Sequence, residues 1–327
     1  MMSDMRTKRT FAGIAVMAVA AIGLGWVTPA HAQDAGRGMR PCVLIDTDVD
    51  IDDLRAIPAV VATRNVVGIV VTTGAGEAKF TSSALAKLLA EPNDRSIPVI
   101  VGATNAKAPL EDWVWLPPVR AQMATANGYL SEPTPAPPYS RSVMRHEVRK
   151  ATRGCEDIEL LIIGPLTSFV KYSPVIRDRV TRVVLQGRPY SRHDSATALE
   201  ENFNCGYDVR SCRLGREELR GLDPVWVDLP SLDAPYQPTL QAVSELRTTG
   251  LPGAFRTSYL STLWTWEPGS LSPGNLSLLW DDSAAMYLLS TKGFTKTGNF
   301  WAPSMSAEAL RATWVRAVNS WHPSTAN

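Results

Sequence analysis

Five carboxylates fall within eight positions in Asp46-Thr47-Asp48-Val49-Asp50-Ile51-Asp52-Asp53. Negative charges this crowded repel one another, and each raises its neighbours' pKa unless something positive compensates. A hard divalent cation answers that need, because Ca²⁺ takes about six to eight oxygen ligands. An EF-hand loop would supply such ligands too. It requires glycine at its sixth position and glutamate at its twelfth, where this chain has Ile51 and Ile57. A solvated acidic turn is the plainer alternative, yet an apolar strand pattern precedes the cluster and a helical pattern follows it.

Other segments place polar groups where chemistry could use them. Ile162-Ile163-Gly164-Pro165-Leu166-Thr167-Ser168 closes an apolar run, and Asn202-Phe203-Asn204 is followed by Asp208. Trp280-Asp281-Asp282-Ser283-Ala284-Ala285-Met286-Tyr287 comes late, and Glu77 ends Thr72-Thr73-Gly74-Ala75-Gly76-Glu77. In type and order this set resembles the motifs of the inosine–uridine-preferring nucleoside hydrolases, from about residue 41 to about residue 290. The family's Asp-x-Asp-Pro-Gly-x-Asp-Asp is met by Asp46, Asp48, Asp52 and Asp53, with Val49 and Asp50 in place of Pro-Gly.

The resemblance implies hydrolysis of the N-glycosidic bond of ribonucleosides to free base and ribose, with one Ca²⁺ per chain. Its ligands would be Asp48, Asp53, Asp281 and the backbone carbonyl of Ile163. A water bound to that cation has a lowered pKa, and Asp48 would be its general base. Asp52 and Asn204 would grip the ribose 2′- and 3′-hydroxyls, while Asp46 would support the loop from behind. Several positions depart from the family pattern. Asn202 stands for a ribose-holding glutamate, keeping hydrogen bonds but not charge. Ser168 stands for an asparagine, Glu77 for an asparagine facing the ribose, and Asp50 adds a charge beside the cation or faces solvent. Trp280 occupies the place of a histidine that protonates the departing base. Indole cannot do that usefully at neutral pH, but it can stack on a purine, so the expectation leans towards purine nucleosides. A packing tryptophan is the alternative.

The elements that must position these residues are legible as short apolar runs. Cys42–Ile45, Val66–Thr73, Ile97–Val101, Ile158–Ile163, Val180–Leu185 and Val225–Leu229 read as strands. Helical spacing over Leu54–Thr63 and Phe80–Leu89, and onward from Leu166, separates several of them. Continuous apolar strands alternating with helices predict one α/β domain with a mostly parallel, Rossmann-like sheet flanked by helices, the site lying at the strands' C-terminal ends. Residues 107–150, with Trp113 and Trp115, and residues 231–278, with Trp264 and Trp266, interrupt the alternation as loop insertions. Such segments cover active sites or pack on the surface.

Arg6, Lys8 and Arg9, the apolar run Phe11–Val27 and Ala30-His31-Ala32 read as an export signal over residues 1–32, followed by a flexible segment over 33–40 and the hydrolase-like domain over 41–327. Removing residues 1–32 takes away Arg6, Lys8, Arg9 and Asp4, which moves the formal charge from +1 to −1. That balance gives no electrostatic case for nucleic acid or for a membrane surface, and the expected partner is a small-molecule nucleoside. A periplasmic or secreted location makes Cys42, Cys155, Cys205 and Cys212 candidates for disulfides, in any of three pairings. Homo-oligomerisation is compatible with the sequence and not decided by it. His146, His193 and His322 are isolated; only His193, in the loop before Asn202, could reach a base. Two rival functions stay open. One is a catalytically silent nucleoside- or calcium-binding protein on the same scaffold. The other is a haloacid dehalogenase-type phosphatase with Asp46 as nucleophile, which would leave Asn202–Asn204 and Asp52-Asp53 unexplained.

Overall fold

The computed structural model describes residues 41–90, 96–104, 116–117, 120, 138–189, 202–231, 234–258 and 278–322. The proposed export signal, the segment 33–40, His193 and the four loop tryptophans Trp113, Trp115, Trp264 and Trp266 lie outside them. Strand β1 (Cys42–Thr47) is buried along its whole length and pairs in parallel with β2 (Asn65–Val71) and β4 (Ile158–Ile162). Beyond β2 lies β3 (Val99–Val101), and beyond β4 follow β5 (Val180–Gln186) and β6 (Val225–Val227), all parallel. Successive β1 residues point to opposite faces. Val43 and Ile45 enter one core cluster, while Cys42 and Leu44 enter the other. Burial on both faces explains why the strands read as unbroken apolar runs.

Helices α1 (Ile51–Thr63) and α2 (Ala78–Ala90) follow β1 and β2. Helix α3 (Arg141–Ala151) precedes β4, and α4 (Phe169–Tyr172) follows it. The helix expected onward from Leu166 is thus only four residues long. Pro174 has no N–H to continue the α-helical hydrogen bonds, and the chain goes on as a 3₁₀ turn over Ser173–Val175. Next come α5 (Phe203–Tyr207), α6 (Val209–Glu218), α7 (Leu240–Ser244), α8 (Gly250–Ser258), α9 (Trp280–Leu289) and α10 (Ala307–Asn319). The two predicted insertions therefore carry helices of their own, α3 in one and α7 and α8 in the other.

Two strands escaped the sequence pattern. β7 (Phe294–Thr297) and β8 (Phe300–Pro303) form an antiparallel hairpin, and β8 adds to β6 in parallel. β7 is exposed after its first residue, so it lacks the apolar run that marks the inner strands. The complete order is β3-β2-β1-β4-β5-β6-β8-β7. The chain moves outward from β1 to β3, then returns to β4 and proceeds the other way. The switch point therefore lies between β1 and β4, where open α/β sheets bind ligands at the strands' C-terminal ends.

At the opposite, N-terminal edge of the same two strands a disulfide joins Cys42 to Cys155. Residues Cys42 and Ile158 are register partners, which brings the two cysteines within reach, with Cα atoms 5.9 Å apart. Cys205–Cys212 is the second disulfide and links α5 to α6. Paired cysteines of this kind belong to an oxidising compartment. Among the described residues, no helix is long and apolar enough to cross a membrane.

Candidate functional site

Only Asp48, Val49 and Asp50 separate β1 from α1, so the chain must turn sharply. Val49 takes φ 54°, a left-handed conformation that is costly for a β-branched residue. The turn is held by hydrogen bonds. Thr47 Oγ1 accepts from Val49 N at 3.0 Å and donates to Asp53 Oδ1. Asp50 is the N-cap of α1 in a capping box, its own N–H donating to Asp53 Oδ2 at 2.9 Å. Asp50 thus has a local task that the sequence reading did not foresee. Both oxygens of Asp53 are oriented before any ligand arrives.

Asp48 is buried, and its Oδ2 accepts from Ala75 N at 2.7 Å. The loop carrying Ala75 can approach so closely because Gly74 has no side chain. A Cβ there would lie 2.0 Å from Asp48 Oδ2, and one on Gly164 would lie 2.7 Å from Asp48 N. Asp281 enters from the first turn of α9. Carboxylate oxygens of Asp52, Asp53 and Asp281 lie within 4.8 Å of one another, all three residues buried. Asp48 stands outside that triplet, but its carboxyl meets that of Asp53, as does that of Asp281.

Burial, reinforced by the neighbouring carboxylates, pushes the Asp48, Asp52 and Asp281 carboxyls well above the usual carboxylate range. The same causes push Asp53 up to about 8. Such a set is under electrostatic stress that a cation would relieve. Its donors are all oxygen, from residues at the N-terminal ends of two helices, which suits a hard ion such as Ca²⁺ better than a soft one. The residues present therefore fit the expected metal.

Beside the cluster, Asn204 Nδ2 donates to Ile163 O at 3.1 Å and to Gln186 Oε1 at 3.0 Å. With its amide nitrogen so engaged, Asn204 Oδ1 is buried without a partner among the described residues. It is an acceptor in want of a donor, such as a sugar hydroxyl. The Ile163 carbonyl lies at the end of β4, at the switch point, with one lone pair used by Asn204 and one left.

Other expected site residues are occupied differently. Asn202 caps α5, with its side chain shared between Cys205 N and Arg188 O. Glu77 is half-exposed and paired with Lys79 at 3.0 Å. Trp280 is partly buried and opens α9, directly before Asp281. Asp46 is fully buried under β2 and α4, where Thr72 Oγ1 donates to it at 2.7 Å and Tyr172 lies against it. Burial raises it to about 7. A residue so enclosed cannot serve as the exposed nucleophile of a phosphatase. Asp208 caps α6 and accepts from Thr167 Oγ1 at 2.9 Å, so it is structural. His146 and His322 are exposed.

Several residues near the site were not anticipated. Gln186 ends β5 and orients Asn204. Arg120 donates to Gly74 O at 2.9 Å and to the Tyr207 hydroxyl, and stacks over the Tyr207 ring. Leu116, four residues earlier, packs with Tyr207 and Phe203. Those contacts seat part of the 107–150 segment on the wall of the site. Arg55 and Asp282 form a buried ion pair directly behind the carboxylates. The one hint was a lone arginine inside the apolar stretch Leu54-Arg55-Ala56-Ile57.

A family model for the inosine-uridine preferring nucleoside hydrolases matches residues 43–304. The inosine-uridine preferring nucleoside hydrolase from Bacillus anthracis superposes with a TM-score of 0.57 at 14% identity, covering 85% of this chain and 99% of that one. The purine-preferring ribonucleoside hydrolase from Gardnerella vaginalis gives 0.56 at 15%, covering 85% and 98%. A plant nucleoside hydrolase gives 0.59 at 14%, covering 86% and 99%. At such identities the superpositions speak for the fold. No curated protein sequence matches the chain closely enough to count as a relative.

Proposed function

The chain belongs to the inosine-uridine preferring nucleoside hydrolase family, and from that premise we propose that it hydrolyses the N-glycosidic bond of ribonucleosides, with a leaning towards purines, in the periplasm or outside the cell. The observation that carries the reading is the buried convergence of Asp52, Asp53 and Asp281 beside Asp48 and the unpaired Asn204 Oδ1. Asp48, Asp53, Asp281 and the Ile163 carbonyl would hold one Ca²⁺, with Asp52 beside them. Bound there, the cation would supply Lewis acidity that eases deprotonation of a water and offsets the crowded negative charge.

Asp48 takes the proton of the attacking water. Its carboxylate is held by Ala75 N, so the group cannot swing away from the cluster. The water oxygen bonds to the anomeric carbon as the bond to the base nitrogen breaks. The bonding pair leaves with the base, whose ring takes a proton from solvent. Asp52 and Asn204 accept hydrogen bonds from the ribose hydroxyls and keep the sugar fixed while its ring gains positive character. Trp280 stacks on the base, and Glu77 and Asn202 line the approach to the sugar. Gln186 accepts from Asn204 Nδ2 and so fixes which way the amide is turned, leaving Oδ1 for the sugar.

A second reading is favoured by one observation, the engagement of the Asn202 side chain in capping α5. On that reading the chain binds nucleosides without turning them over. Incubation of the purified protein with inosine, guanosine, adenosine, uridine and cytidine in calcium buffer, followed by chromatography of free bases, separates the two. Free hypoxanthine with equimolar ribose supports the hydrolase. Saturable inosine binding with no product supports the binding protein.

A further inference from the structure

We propose that the buried Arg55–Asp282 ion pair is a positioning clamp that sets the cation site by holding α1 and α9 in register. This rests on the metal reading above and extends it to two residues that are not ligands. Arg55 follows Asp53 by two positions on α1, and Asp282 follows Asp281 directly on α9. Each ligand-bearing turn therefore carries one half of the pair. The side chains are 1% exposed, and both Nε and Nη2 of Arg55 reach Asp282 Oδ2 at 3.1 Å. Arg55 Nη2 also donates to Leu278 O at 2.8 Å, just ahead of α9. Trp314 Nε1 in turn donates to Arg55 O at 2.8 Å, tying α10 to the same point of α1.

Stability alone does not account for the pair. Removing two charges from water is costly, and well-packed apolar residues often serve as well or better. Apolar partners are already abundant at this contact: Leu54, Ile57, Ala284, Ala285 and Leu288 are fully buried in one cluster. Apolar packing, however, tolerates sliding and rotation, whereas a fork of directed hydrogen bonds does not. Ligands contributed by two separate helices need such directionality, because a site loosened by about 1 Å fails. The other end of α9 is fixed in the same manner. Arg64 donates to Leu288 O and Leu289 O at 3.1 Å, and Arg182 to Tyr287 O and Leu288 O at 3.1 and 3.0 Å. The ligand helix is thus held by arginines at both ends.

Charge and position act in opposite directions at Arg55, which makes the clamp testable. As a positive group facing Asp50 and Asp52, Arg55 opposes cation binding. Its removal would tighten calcium binding if charge were its only role. As a clamp, its removal weakens binding. Calcium titration calorimetry on the wild type, Arg55→Lys and Arg55→Met, each with thermal unfolding as a check of folding, reads the sign. Wild type should bind one Ca²⁺, and both variants should bind about ten-fold more weakly, the usual scale for groups that orient ligands. In Arg55→Lys, saturating calcium should restore turnover, with kcat recovered and only the calcium requirement raised. Should Arg55→Met not fold, Arg55→Lys decides alone, since it keeps the charge and loses the fork. Unchanged affinity in Arg55→Lys, or tighter binding in folded Arg55→Met, overturns the clamp while leaving the metal reading intact. No calcium uptake by wild type overturns the metal reading, and the clamp with it.

Discussion

The two halves of the site are built differently. The half that would hold cation and ribose is drawn from the ends of β1, β4 and β5, the first turns of α1 and α9, and α5. Its side chains are buried and individually oriented: Asp53 by Thr47 and the Asp50 amide, Asp48 by Ala75, Asn204 by Gln186. The half that would meet the base and line the sugar's approach is drawn from the rim. Trp280 is partly exposed, Glu77 is half-exposed in a pair with Lys79, and Asn202 is spent on capping. A fold can hold one reaction constant while its rim changes substrates, because the reacting half is part of the core and the recognising half is not.

The largest effect should come from breaking the buried half. Asp53→Asn removes a charge whose two oxygens are already oriented, and nucleoside turnover should fall by about 10³-fold or more, with calcium uptake lost. A variant keeping a tenth of wild-type kcat would show that Asp53 does not anchor the cation. Chelation should act in the same direction and be reversed by added calcium, read as recovery of free-base release. Full activity after exhaustive chelation would contradict the assignment. Next in size is Asn204→Ala, which should cost about 10²-fold in kcat/KM for ribonucleosides. Because the lost contact is to a sugar hydroxyl, the penalty should shrink for the deoxynucleoside lacking that hydroxyl. An equal penalty would place Asn204 elsewhere.

The rim should give smaller and more selective effects. Trp280→Ala should weaken purine nucleosides by about ten-fold in KM and pyrimidine nucleosides less, as loss of stacking would. Equal losses for both would make Trp280 a packing residue. Smallest is Glu77→Gln, expected to change kcat/KM by about three-fold at most, because an exposed pair with Lys79 is worth little.

The buried half was also the legible half. Repelling aspartates at a strand end announce a cation whatever the fold, and unbroken apolar runs announce buried parallel strands. These two signals pointed to the acidic cluster and to the parallel sheet that carries it, while Ile163, Asn204 and Asp281 were singled out only through the family resemblance. Roles set by tertiary geometry were not legible. Asp50 differs from Asp48 and Asp52 only in lying where α1 begins. Arg55 and Asp282 are 227 positions apart, and nothing local marks them as partners. Gln186 gains its task from the hydrogen bond that Asn204 of α5 makes to it. The β7–β8 hairpin was hidden because its edge strand carries polar residues, as edges do when they must avoid further pairing.

A substrate that needs the buried half and not the rim tests this division most directly. Hydrolysis of p-nitrophenyl riboside releases p-nitrophenolate, a leaving group stable enough to depart without protonation or stacking. Its release in calcium buffer should be rapid, abolished by chelation, and unaffected by Trp280→Ala. No p-nitrophenolate from a folded, calcium-loaded protein would contradict the account, since the half of the site assigned to the chemistry would then have failed alone.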